Sequence, residues 1–284
     1  MLRILIAGCG YVGVELGRRL ASQGHRVHGL RRDPSNLPPS ILPLQADLLD
    51  PELGARLPPV DRVVYAAAAG GSTRERYRAI YHDGVRNLLE ALSGPFEPTP
   101  DHFIFVSSTA VYGDAGGGWV TEDTPPAPEN FRGEEVLAGE ALVLDSELPG
   151  SVLRLGGIYG PGRTRLLDRV REGQAVCPGG DPIFSNRIHR DDAARALEHL
   201  LLEPVPKGVY LGVDDAPTPL CEVYRTLARI LDAPEPRVDP ELRRGRSNKR
   251  CRNEKLRRTG FRFRYPSFRE GYEALIEGEE WRAP

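Results

Sequence analysis

Three glycines in six residues, Gly8-Cys9-Gly10-Tyr11-Val12-Gly13, follow directly on the apolar run Leu2–Ala7, and they restrict this chain more than any other feature. Behind them Val12, Leu16 and Leu20 recur at helical spacing up to Gly24. A second apolar run, Val27–Leu30, then ends in Arg31-Arg32. Strand, glycine turn, helix and strand in that order make a βαβ unit, the context that gives G-x-G-x-x-G its meaning. Gly8 permits the tight turn, Gly10 lets the main chain approach a pyrophosphate, and Gly13 lets helix and strand pack closely. The helix start at Tyr11, Val12 and Gly13 points its amide groups and dipole at the phosphates.

The alternation continues. Leu42–Leu48 reads as a third strand ending at Asp47-Leu48, where Asp47 either accepts from an adenine amino group or caps a helix. Asp61–Ala69 reads as a fourth strand, and its small Ala66, Ala67 and Ala68 let a cofactor come near the main chain. A helix is expected over Tyr77–Leu92 and a buried fifth strand over His102–Val106. The hydroxyls of Ser107 and Ser108 follow that strand, where a nicotinamide would lie. A Gly- and Pro-rich loop, a helix from Arg132 to Leu148 and a sixth strand over Ser151–Leu155 come next. Asp191–Leu202 and Gly208–Val213 supply a further helix and strand.

These elements imply an α/β fold, a doubly wound parallel sheet with a smaller C-terminal lobe. The expected boundaries are 1–160, with 186–215 returning to it, for the dinucleotide-binding domain. The substrate lobe takes 161–185 and 216–284.

Composition narrows the function classes. A net charge of −2 over 284 residues gives no reason to expect nucleic acid or an anionic membrane as partner. No apolar run approaches the length of a membrane helix, and with a strand at the very start no cleaved leader is expected. Cys9, Cys177, Cys221 and Cys251 are widely spaced, which fits unpaired thiols in a reducing cytoplasm and no metal site. At the end of the second strand an acidic residue favours NAD and an arginine accommodates a 2′-phosphate, so Arg31-Arg32 favours NADP over NAD.

Several stretches together resemble the extended short-chain dehydrogenase/reductases, the NAD-dependent epimerase/dehydratase group. They are Gly8–Gly13, Asp47-Leu48, Val106–Gly113, Arg154–Gly162, Arg187–Asp192 and, near the C-terminus, Ser247–Arg250 with Tyr265–Gly271. The resemblance implies a Rossmann domain, bound NAD(P), and chemistry on a carbonyl, an alcohol or a nucleotide-sugar-like substrate. It also implies a Ser, Tyr and Lys mechanism, with Ser108 as the serine. The Tyr-x-x-x-Lys of the following helix falls on Phe131-Arg132-Gly133-Glu134-Glu135. Phe131 has no hydroxyl, Glu135 has the wrong charge to lower a phenol's pKa, and no lysine precedes Lys207. By this alignment the usual dyad is absent.

Three functions are compatible with such a chain. One is an oxidoreductase or epimerase whose proton donor has moved to Tyr112, Tyr159 or His189, with Ser108 orienting a carbonyl. Against this, Tyr112 and Tyr159 would only pack and His189 would only cap the next helix. The second is a non-catalytic NADP-binding redox sensor, and the third a scaffold holding another nucleotide. A small-molecule substrate is expected, and a homodimer is compatible with the sequence.

Overall fold

The computed structural model describes residues 1–93, 97–242 and 247–278. The chain packs as two units. The first comprises Met1–Val111, Pro126–Arg154 and Ala193–Tyr210, and the second Tyr112–Pro125, Leu155–Asp192 and Leu211–Pro284.

Seven strands form the central sheet: β1 (Arg3–Ala7), β2 (Arg26–Arg31), β3 (Leu42–Gln45), β4 (Arg62–Tyr65), β5 (His102–Ser108), β6 (Gly150–Leu155) and β7 (Gly208–Gly212). Their spatial order is β7-β6-β5-β4-β1-β2-β3, so the winding reverses between β1 and β4. Ile4, Leu5 and Ile6 are fully buried, as are Val63 and Val64 beside them, because helices cover both faces of a parallel sheet. Burying each such side chain contributes roughly 1.5–3 kcal/mol.

The helices include α1 (Tyr11–Ser22), α2 (Arg74–Arg78), α3 (Gly84–Leu92), α4 (Phe131–Leu144), α5 (Arg190–Leu202), α6 (Leu220–Ile230) and α7 (Phe268–Glu277). The helix expected over Tyr77–Leu92 is α2 and α3 joined by a π turn over Ala79–Asp83. The apolar period survives the extra residue, since Val85, Leu88, Leu89 and Leu92 are all buried. The helix expected to reach Leu148 ends at Leu144, and Asn130 caps its start by accepting from the Arg132 and Gly133 amides.

The second unit is built on short pairings. Gly157–Tyr159 runs parallel to Arg187–His189, Trp119–Val120 to Arg250–Cys251, and Val176–Pro178 to Arg237–Asp239. The second unit so defined includes Tyr112–Pro125, 155–160, 186–192 and 211–215, which the sequence-based boundaries group with the sheet. Its core gathers Leu167, Val170, Val223, Leu227, Phe268 and Tyr272. Among the described residues no helix is long and apolar enough to cross a membrane, and no group of His, Cys, Asp or Glu side chains stands together as a metal site. All four cysteines are free.

Candidate functional site

In the first unit the chain segments that follow β1 and β4 meet at Gly8 and Ala67. Gly8 has φ of +79°, and a Cβ placed on it would lie 2.3 Å from the Ala67 Cα, so main chain meets main chain where the winding reverses. At Gly10 a Cβ would meet nothing nearer than the Gly8 carbonyl oxygen at 3.8 Å, leaving the main chain open. Gly13 packs on β1, its hypothetical Cβ 2.9 Å from the Ile6 side chain. Gly10 caps α1 without a side-chain hydrogen bond, and no acidic residue stands in the first turn from Tyr11 through Val12 and Gly13. An open glycine beside an uncapped, acid-free helix start is what a pyrophosphate requires, so these residues fit a dinucleotide. Cys9, buried inside this turn, has its thiol pushed up to about 12 by burial and stays protonated.

Arg31 closes β2 half-buried, and Arg32 follows it into solvent. A cleft of about 510 Å³ opens just beyond, lined by residues that include Asp33, Ser35, Leu37, Ile41 and Gln45. Asp47 does not cap a helix, because its Oδ1 accepts from the Leu49 amide at 3.0 Å in a local turn, with Leu48 buried beneath. Ala66 and Ala67 are half-buried after β4, and Ala68 is exposed.

At the end of β5 the two serines part. Ser107 is buried and donates its hydroxyl to Glu140 Oε1, whose carboxylate also accepts from Arg154 at 2.9 and 2.6 Å. Ser108 is half-exposed, and its Oγ accepts from the Ala110 amide at 3.1 Å. The first turn of α4 sits against this edge, because a Cβ on Gly133 would come within 2.5 Å of the Ala110 carbonyl oxygen. That turn carries Phe131 and Glu135. The guanidinium of Arg74 lies 5.6 Å from the Phe131 ring centre and donates to Glu135 at 3.2 Å and Glu134 at 2.6 Å. Tyr77 meets Phe131 edge-on, ring centres 5.6 Å apart. Tyr81 packs on Tyr77, and burial pushes its phenol up to about 12, with Tyr77 adding to the effect and a backbone hydrogen bond at Ala69 opposing it.

The other three candidates belong to the second unit. The buried Tyr112 donates its hydroxyl to the Thr121 carbonyl at 2.8 Å, and Lys249, itself buried, donates from Nζ to the Tyr112 carbonyl at 3.1 Å. Tyr159 stacks on Tyr272 at 4.4 Å, its hydroxyl 3.4 Å from the Ser267 carbonyl, and burial raises its pKa. His189 meets Tyr159 edge-on at 5.3 Å, so these two candidates are in contact. The His189 Nδ1 accepts from the Asp191 amide at 3.2 Å as α5 begins, and burial takes the imidazole down to about 4. A second cleft, about 580 Å³, is enclosed by this unit alone and lined in part by Cys177, Asp181, Cys221, Arg225 and Arg269.

Sequence reasoning did not single out Arg74, Tyr77, Tyr81 or Arg132. The spacing of Tyr77 and Tyr81 was a usable signal, since residues four apart share a helix face. Nothing local joins Arg74 to Glu135.

A family model described as NAD dependent epimerase/dehydratase matches residues 4–210. A Streptomyces protein named 3-diazoavenalumate denitrifying reductase is 29% identical, over 95% of this chain and 99% of its own. A solved structure from Methylobacillus flagellatus, described as an NAD-dependent epimerase/dehydratase, is 35% identical with a TM-score of 0.82, covering 98% of both chains. The Thermus thermophilus UDP-glucose 4-epimerase complex with NAD shares the fold, with a TM-score of 0.81 at 22% identity over 99% of both chains.

Proposed function

The chain belongs to the NAD-dependent epimerase/dehydratase family, and on that premise we propose that it is an oxidoreductase of a small organic substrate that prefers NADP to NAD. The observation that carries the reading is the Gly8–Ala67 approach, which leaves Gly10 and the start of α1 open at the reversal of the sheet. The bound dinucleotide supplies hydride chemistry. The α1 amides hold its pyrophosphate, Arg31 and Arg32 take the 2′-phosphate, and Asp47-Leu48 with Ala66, Ala67 and Ala68 border the adenosine and the nicotinamide side.

Ser108 is the residue proposed to touch substrate, its half-exposed hydroxyl orienting the reacting group. Ser107 braces β5 through Glu140. The hydrogen bonds of Tyr112, Tyr159 and His189 favour packing and capping for those three. The first turn of α4 offers no ready acid: Phe131 cannot give a proton, and Glu135 is committed to Arg74. Such an edge suits an acceptor that takes hydride without help from a protein acid, and the Streptomyces relative is named for reductive loss of nitrogen from a diazo compound.

The same inert edge favours a second reading, a redox sensor that binds NADP without turning it over. Following NADPH fluorescence against aldehydes, ketones, diazo compounds and nucleotide sugars separates the two. The oxidoreductase reading predicts substrate-dependent oxidation that falls in Ser108→Ala. Tight binding with no oxidation across the panel would favour the sensor.

A further inference from the structure

Arg132 stands on the first turn of α4, one residue from the Gly133 that packs on Ala110. Its guanidinium carbon lies 5.9 Å from the Tyr77 ring centre and 5.8 Å from that of Phe131. The two rings meet at 90° and are both half-buried, while Arg132 is exposed. Among the described residues no carboxylate pairs with Arg132. Its neighbour Arg74 is in the opposite state, bound by Glu134 and Glu135. One patch therefore holds two half-buried aromatic rings that meet edge-on, one guanidinium paired with carboxylates, and one exposed guanidinium beside both rings with no carboxylate partner among the described residues.

We propose that Tyr77, Phe131 and Arg132 form the binding platform for an aromatic carboxylate substrate. The substrate ring packs on the Tyr77–Phe131 pair, where offset and edge-on contacts are favourable. Its carboxylate meets the planar fork of Arg132, a bidentate partner beside both rings. The alternative ligand for such an edge is a nucleotide sugar, whose diphosphate calls for more free positive charge than one arginine gives. The assignment rests on the reading that substrate reaches the Ser108–Ala110 edge, and it names the class of that substrate.

The test is calorimetric titration of trans-cinnamate, benzoate and UDP-glucose into the full-length protein, with and without NADP. Cinnamate is expected to bind, UDP-glucose not to bind, and Arg132→Gln to weaken cinnamate about 10-fold or more while leaving NADP affinity unchanged. Phe131→Ala should weaken cinnamate as well. Arg132→Gln is a surface change, so its fold is not at risk, and circular dichroism with NADP binding verifies this. Cinnamate binding unaltered by Arg132→Gln would overturn the proposal, as would binding of UDP-glucose in place of cinnamate. Cinnamate held at Arg132 by a protein that binds neither dinucleotide would support the platform and sink the functional reading alone.

Discussion

Arg74 and Glu135 are sixty-one residues apart, yet Arg74 Nη1 donates to Glu135 Oε1 at 3.2 Å beneath the Phe131 ring. The pair leaves a permanently charged arginine and a carboxylate held by it at the α4 edge. If the reaction takes no proton from this edge, its rate should be insensitive to the charge of Glu135. Glu135→Gln should keep turnover within a few-fold and leave the pH–rate profile unchanged. A large loss, or a new limb in the profile, would show Glu135 to be a working acid or base.

Ser107, Glu140 and Arg154 make the buried ionic core of the first unit, with Glu140 1% and Arg154 4% exposed. Removing one partner leaves a bare charge out of water. Glu140→Ala should therefore cost about 3–5 kcal/mol in urea unfolding, while Ser107→Ala, which removes one charge-assisted hydrogen bond, should cost about 1.5–3 kcal/mol.

Backbone geometry separates two glycines of similar φ. Gly8→Ala drives a Cβ into Ala67 and should abolish dinucleotide binding along with much of the stability. Gly24, at φ +82° with nothing within 4 Å of its Cβ, should lose only about 1 kcal/mol on change to Ala and bind cofactor normally. Chemical denaturation and cofactor titration of the two variants check the contrast.

Acid should unfold the protein through its histidines. Burial takes His102, hydrogen-bonded to Ser151, down to about 3, and His189 down to about 4, both from an ordinary 6.5. The unfolded chain then binds more protons than the native one below pH 6.5, so the stability these groups contribute is present above 6.5 and drains as pH falls toward 4 and 3. Asp214, whose carboxyl burial pushes up, works in the opposite sense. Urea midpoints from pH 7 to 5 should fall, and fall less in His102→Gln. A midpoint independent of pH over that range would contradict the assignment.

The βαβ unit was legible because every instruction for it is local: an apolar run, three glycines, a helical period and a second run. The doubly wound sheet followed from repetition of that pattern. The second unit holds two- and three-residue pairings such as Trp119–Val120 with Arg250–Cys251, which no periodicity marks. The π turn at Ala79–Asp83 was hidden because one extra residue shifts the helical phase without erasing it. At the proposed site, spacing pointed to Gly8–Gly13, and the place after the fifth strand together with the family resemblance pointed to Ser108, but the partners of Phe131 and Glu135 arrive from α2 by tertiary packing alone.

The central claim is that Gly8–Gly13 with Arg31-Arg32 forms a working site for NADP. Calorimetric titration of the purified protein with NADP and with NAD tests it most directly, in wild type and in the Arg31→Ala/Arg32→Ala double variant. The account predicts tighter NADP than NAD, and a loss of about 1–3 kcal/mol for NADP alone in the variant. Equal losses for both cofactors, or no binding of either by the wild type, would contradict it.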